Sequence, residues 1–435
     1  MSELPNGWST SSIFDIASPK QWKTIPKKLL TDEGYNVYGA NGIIGKFTEY
    51  THENPTLMIT CRGATCGNVH VSKPKSYING NAMALDDLSE SVSIKFLYYF
   101  LKSNDFKNVI SGSAQPQITQ EGLAKLQLLI APLNEQIRIA NKLDSILAKV
   151  DKAQARLDKI PAILKRFRQS VLAAATSGEL TKEWRSIKGI GFEEWAQTKL
   201  AEVATSLDPN PSHRYPKSDS SGVPILSTQQ FVGESGWTTD KAKLVNREFY
   251  EERKEKTGFF KNDIIFARKG RLGLARFAPT NMEFVFSHTV FIVRASEKVK
   301  SDYLLWYLRD EQSLEWLVKE MNSNTGVPTL GKGVFEKLPI NLPCGEEQSE
   351  IVSRIERLFS RANKIEKQYL DAKARLDRLT QSILAKAFRG ELVPQDPNDE
   401  PAEKLLERIV AEKEQSKPKK TTRKRATKAK AAEKE

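Results

Sequence analysis

The chain has 435 residues, 39% of them hydrophobic and 28% charged, too long for one ordinary core and suited to two or three domains. Its formal net charge is +13, which favours a polyanionic partner, most simply nucleic acid, and no run reaches the ~18 consecutive apolar residues of a membrane span. Three cysteines, Cys61, Cys66 and Cys344, argue against a disulfide framework, and a start without a basic flank or apolar core is not expected to be a secretory signal, so a cytoplasmic location is expected.

In chain order, Asn36–Gly45 is rich in turn residues and reads as loop between short strands. Leu57–Thr60 reads as a buried strand with Val69–Val71 as its return, followed by a helix over Ser93–Lys102. Ile139, Leu143, Ile146, Val150, Ala153, Leu157, Ile160, Leu164, Phe167 and Val171 are apolar at alternating steps of four and three. That spacing predicts a coiled-coil seam, which Pro161 kinks or costs a hydrogen bond and which stops before Gly178. Ile264–Ala267 and Leu274–Phe277 read as strands and Asp302–Arg309 as a helix. A second seam runs through Ile351, Ile355, Leu358, Ala362, Ile365, Tyr369, Ala372, Leu376, Leu379 and Ile383 and stops before Gly390. Pro401–Glu414 reads as a last short helix, and Lys417–Lys430 as a basic, low-complexity, disordered tail.

The chain repeats itself. Gln169–Leu180 recurs as Gln381–Leu392 at an offset of 212, with eight of twelve positions identical. Glu135-Gln136 recurs as Glu347-Gln348, and both seams obey the same offset. Upstream, Phe96–Leu101 aligns with Tyr303–Leu308, Gly7-Trp8 with Glu194-Trp195, and Arg62–Gly67 with Arg268–Gly273 at an offset of 206. The expected architecture is α+β: two globular α/β parts and two long helices that pair antiparallel, with pseudo-two-fold symmetry. Its parts are residues 1–134, a spacer helix over 135–180, residues 181–345, a second spacer helix over 346–392, and a short helix with the basic tail over 393–435. Leu143, Val150, Leu157, Leu164 and Val171 on the first helix and Ile355, Ala362, Tyr369, Leu376 and Ile383 on the second form the spacer seam in that reading.

Catalytic signatures are weak. Gly326–Lys332 has the spacing of a phosphate loop, but Gly333 stands where Ser or Thr would hold Mg²⁺, and Pro328 lies inside it. Asp208-Pro209-Asn210 and Asp396-Pro397-Asn398 lack the second proline and the aromatic of an amino-methyltransferase motif and read as turns. Cys61 and Cys66 with His52 and His70 allow a metal site on paper, yet the second copy has no counterpart, so structural cysteines are expected. Glu248–Lys256 reads as a solvated helix face and His288 as a strand residue. What remains is recognition chemistry. Arg62 with Thr65, and Arg268 with Lys269 and Arg271, lie beside glycines and can fork to guanine or phosphate, or satisfy loop carbonyls in a turn. Gln115, Gln117 and Asn324 offer amides to base edges, or serve as plain turn residues.

The order of variable part, helix, variable part, helix, with Glu135-Gln136 and Glu347-Gln348 opening the helices and Gly178-Glu179-Leu180 and Gly390-Glu391-Leu392 closing them, resembles the specificity subunit of type I restriction–modification systems. Leu4–Trp8 and Tyr38–Gly45 ahead of Arg62-Gly63 strengthen the likeness, which covers about residues 1–395. The resemblance implies a DNA reader without catalysis of its own. Two target recognition domains would each read half of a bipartite, asymmetric double-stranded site, with the helices as spacer. Two DNA methyltransferase subunits would dock on it, joined by restriction–translocase subunits. S-adenosylmethionine, ATP and Mg²⁺ would belong to those partners, and none to this chain. The competing classes are a stand-alone methyltransferase or nuclease and a coiled-coil scaffold without DNA readout.

Overall fold

The computed structural model describes residues 4–112, 115–218, 220–258, 260–321 and 329–415. The chain divides into two compact units, Met1–Arg156 with Ala372–Glu435, and Leu157–Asp371. Both long helical segments are therefore shared between the units.

In the first unit Leu57–Thr60 is the central antiparallel strand of a four-stranded sheet, in the order Ser18–Gln21, Ala82–Asp86, Leu57–Thr60, Val69–Val71. Leu57 and Ile59 enter the core that holds Phe96 and Leu97, while Met58 faces Tyr38, Ile78 and Ala84 on the other side. Burial on both faces explains why this strand is an unbroken apolar run rather than an alternation. A second sheet orders Gly42–Phe47, Tyr35–Gly39 and Ser76–Ile78, the last pair parallel. Asn36–Gly45, expected as loop, is thus mostly hairpin. Gly42 at φ 84° supplies the left-handed residue that a short turn over Ala40 and Asn41 requires.

The second unit repeats this plan. Its four strands run Ala204–Leu207, Val290–Ala295, Ile264–Ala267, Ala275–Phe277, and its three run Leu244–Val245, Val223–Leu226, Val285–Phe286, again with one parallel pair. Ile264 and Phe266 pack towards the Ser301–Leu308 helix, and Ile265 and Ala267 towards the opposite core. The expected helix over Glu248–Lys256 is present as Arg247–Thr257, its charges paired with one another and with Glu283.

The first long segment is two helices, Leu133–Leu157 and Ile160–Thr176, rather than one kinked helix. Pro161 falls in the first turn of the second, where its missing N–H leaves no bond unmade. The other segment is one helix of 43 residues, Gly345–Ala387. Within the second unit the helices pair antiparallel. Arg168 Nη2 donates to Asn363 Oδ1 and Glu366 Oε2, both at 2.7 Å, and Arg354 Nη1 donates to the Leu180 carbonyl at 2.8 Å. Within the first unit Ile139, Ala140 and Leu143 share a core with Ile383, Leu384, Ala387 and Phe388, and Arg138 Nη2 meets Asp399 Oδ2 at 2.7 Å. Leu143, Leu164, Val171, Ile355, Ala362 and Ile383 are buried, and Val150, Leu157, Tyr369 and Leu376 are half-buried. Phe167, Ile365 and Leu379, expected in the seam, are instead exposed by 38%, 47% and 47%. A two-stranded pairing covers one narrow stripe per helix, and these positions lie at its margin.

Candidate nucleic-acid interface

The repeated Glu-Gln pair is a structural joint. Gln136 accepts from the Ser93 amide at 2.8 Å and donates to the Ala131 carbonyl at 2.8 Å. Gln348 accepts from the Lys300 amide at 2.7 Å and donates to the Pro343 carbonyl at 2.9 Å. Each glutamine thus satisfies an orphan amide where the core helix of its unit begins, and locks the long helix to the globular part. Glu347 receives Trp195 Nε1 at 2.8 Å, Thr181 Oγ1 at 2.7 Å and Arg185 Nη1 at 2.6 Å. Glu135 faces Trp8 and Gln395 instead, and burial pushes its carboxyl above the usual range. The sequence pairs Trp8 with Trp195 but offers no signal for Arg185, which has no counterpart in the repeat.

The basic loops leave the central strands. Cys61 N donates to Asn81 O and Arg268 N to Thr289 O, both at 3.0 Å. Ile118 N donates to Cys61 O at 3.0 Å, and Leu330 N to Arg268 O at 2.9 Å. Bridges then join Arg62 to Gln117 and Lys269 to Thr329. By hydrogen-bond position Arg268 therefore corresponds to Cys61, and Lys269 to Arg62. The sequence alignment of Arg62 with Arg268 is off by one. The cause is a loop one residue shorter in the second copy: Gly67 N returns to Thr60 O, whereas Gly273 N returns to Ala267 O. An alignment anchored on those glycines slips at the strand end.

A slip of one reverses the direction of the side chain. Arg62 is exposed. Arg268 turns inward: its side chain is 12% exposed, Nη1 lies 2.5 Å from Asp208 Oδ2, and its guanidinium sits 4.5 Å over the Phe291 ring. In the first unit the equivalent pair is Gln21 with Cys61, Nε2 to Sγ at 2.8 Å. Arg268 is thus a loop-fixing residue. Lys269, half-buried, holds the place of Arg62.

Thr65 and Arg271 also occupy equivalent places, and both clamp a neighbouring turn. Thr65 Oγ1 donates to the Ala40 carbonyl at 3.3 Å, joined there by Thr60 Oγ1 at 2.8 Å. Arg271 Nη1 donates to the Thr228 carbonyl at 3.4 Å and to Phe231 O at 3.0 Å. Ala40 and Thr228 each lie two residues beyond a strand residue of the parallel pair, Tyr38 opposite Ile78 and Leu226 opposite Phe286. Gln115 and Gln117 are exposed, Gln117 on a short pairing with Ser111, beside the Arg62 loop. Asn324 and residues 416–435 lie outside the described residues, as do Gly326, Val327 and Pro328 of the phosphate-loop-like stretch.

The titratable groups sit in structural roles. His52 Nε2 lies 2.9 Å from Asp86, and His288 Nδ1 lies 2.9 Å from the Tyr215 hydroxyl. Burial, then His213 and the nearby cations, hold His288 below its ordinary range. Burial raises the thiols of Cys61 and Cys66. Among the described residues no group of three or more His, Cys, Asp or Glu could hold a metal ion.

The sequence matches the type I restriction modification DNA specificity domain over residues 5–162 and 192–372. The chain belongs to that family. It is 30% identical to the EcoDI type I restriction enzyme specificity subunit of Escherichia coli, covering 98% of this chain and 99% of that one. It is 34% identical to the StySPI specificity subunit of Salmonella potsdam, covering 89% of this chain and 82% of that one. In fold it is similar to a chain of a solved type I R-M system, with TM-score 0.68, 18% identity and coverage of 90% and 100%. The HsdS subunit from Thermoanaerobacter tengcongensis matches with TM-score 0.52, 18% identity and coverage of 89% and 98%. This specificity-subunit family is one of sequence-specific DNA binding without catalysis, and each matched stretch takes in one of the repeated α/β parts together with the start of the long helical segment that follows it.

Proposed function

We propose that each α/β part is a target recognition domain for one half of an asymmetric, bipartite duplex site, and that the helical segments set the gap. The supporting observation is a shared frame with different contents. The same backbone bonds position Arg62 and Lys269, while Thr65 is matched by Arg271 and Cys61 by Arg268. Equivalent frames with unequal side chains suit two unlike half-sites. Arg62, Lys269, Gln115, Gln117 and Asn324 are the proposed contacts from the basic and amide-rich loops. Two DNA methyltransferase subunits dock on the chain in this reading, with restriction–translocase subunits beside them, in the cytoplasm. S-adenosylmethionine, ATP and Mg²⁺ are then theirs. Among the described residues no helix is long and apolar enough to cross a membrane.

Sequencing methylated adenines in cells carrying the chain and its partner methyltransferase tests this. Two unlike half-motifs at a fixed gap are expected. Co-purification at one chain to two methyltransferases is the companion result. A single undivided motif overturns the bipartite reading.

A further inference from the structure

The clamped turns place two carboxamides in equivalent positions. Asn41 follows Ala40, whose carbonyl is held by Thr60 and Thr65. Gln229 follows Thr228, whose carbonyl is held by Arg271. Both side chains are exposed. Their surroundings are hydrogen-bonded. Asn41 tips the hairpin of Tyr35–Gly39 and Gly42–Phe47. Gln229 lies in a short 3-10 turn, where its own amide donates to Ser227 Oγ at 3.2 Å and the Gln230 side chain is consumed by the Ser227 amide at 3.0 Å. Thr228 and Gln230 are buried, so Gln229 is the outward member of its turn.

We infer that Asn41 and Gln229 are adenine-reading residues, one for each half-site. The inference rests on the DNA-reading role of the two parts and adds residues that lie outside the basic loops. A carboxamide presents one donor and one acceptor side by side, and this matches adenine N7 and N6 in the major groove. The groove admits a two-stranded ribbon such as the Asn41 hairpin. Beside Asn41, Ile43 and Ile44 are exposed by 50% and 37%, apolar surface of the kind that meets a thymine methyl. Lys46 and Arg62, both exposed, supply cations for the flanking phosphates. In the second unit Lys269 and Arg271 do so from the clamping loop. A hydrogen-bonded carbonyl one residue away anchors the base of each carboxamide, which lowers the ordering cost on binding.

The test is selection from a pool of randomised duplexes by the full chain, wild type and variants, with the bound fraction sequenced. The wild type is expected to return two half-motifs with an adenine in each. Asn41→Ala should relax one adenine in one half-motif, losing about tenfold or more in discrimination there, and leave the other half and the gap unchanged. Gln229→Ala should do the same in the opposite half. Asn41→Asp, which keeps the shape but only accepts, should shift preference at that position towards cytosine, a change that misfolding does not produce. If either alanine variant returns the wild-type motif, or weakens all duplexes alike, the inference fails while the reading of the two parts stands. If the wild type enriches no motif, that reading fails with it.

Discussion

Arg185 and Glu347 form a buried ion pair in the second unit, 2.6 Å from Nη1 to Oε1, with side chains 7% and 1% exposed. Arg185 also donates to the Gly178 carbonyl at 2.7 Å, so one guanidinium ties the end of the Ile160–Thr176 helix to the start of Gly345–Ala387. Glu347 lies in the first turn of that helix, where a negative charge is favoured by the helix dipole. Glu347→Ala removes the carboxylate that Arg185 meets in this joint and strands a buried cation. A loss of about 3–5 kcal/mol is expected, the range for breaking a buried pair from one side. Arg185→Ala should cost less, because Thr181, Trp195 and the helix N-terminus still serve the carboxylate. Urea unfolding followed by tryptophan fluorescence measures both, and equal losses would refute the asymmetry.

The first unit should answer differently to pH. Glu135 is buried, facing Trp8 and Gln395, and burial raises its pKa. A carboxyl raised in the fold contributes stability below its unfolded pKa and loses it as pH climbs through the folded value. Stability of the first unit should therefore fall as pH rises from the ordinary carboxylate range towards neutrality. Glu135→Gln should flatten that dependence and be no less stable at pH 7. Urea midpoints between pH 4 and pH 7 check it, and a steeper dependence in the variant would reverse the sign.

Much of this was legible because it repeats. The offset of 212 between the seams, and the buried runs Leu57–Thr60 and Ile264–Ala267, locate the helices and central strands. Turn composition concealed the Tyr35–Gly39 and Gly42–Phe47 hairpin, since three glycines within it mask a strand pattern. The site was legible in place but not in direction. Sequence leaves Arg268 between a DNA contact and a turn-fixing residue, and aligns it with Arg62, because a one-residue deletion is invisible to an alignment pinned on glycines. Its partner Asp208 is distant in sequence and read only as a turn residue, which it also is, accepting from the Asn210 amide at 3.0 Å. Arg185 was illegible because asymmetry between repeats leaves no pattern to find.

The basic end of the chain should act through charge alone. Lys417–Glu435 carries nine Lys and Arg against two Glu. Removing it should weaken binding to all duplexes by a similar factor and make log affinity less steep against log salt, by about 0.9 for each phosphate that is no longer neutralised. The selected motif should not change. Filter binding at several salt concentrations, with one cognate and one scrambled duplex, tests this. A change in their ratio would show that the segment contributes to sequence choice.

The register of the two basic loops separates three arginine and lysine variants. Arg62 and Lys269 stand at equivalent bridge positions, so each should touch DNA in its own unit. Arg62→Ala should leave the unfolding midpoint unchanged and reduce affinity. If its contact is a bidentate one to guanine, one position of one half-site relaxes by about 1–3 kcal/mol, and if to phosphate, all sequences weaken alike. Lys269→Ala should behave similarly for the other half-site. Arg268→Ala should differ from both. It strips Asp208, 18% exposed, of its partner and takes the guanidinium off Phe291, so the expected first effect is loss of stability in the second unit. Readout of the second half-site should then decline with the fold, while the first half-site keeps its discrimination. Melting curves paired with binding to duplexes altered in one half at a time decide it. An Arg268→Ala protein of wild-type stability that misreads one base would place its side chain on DNA after all.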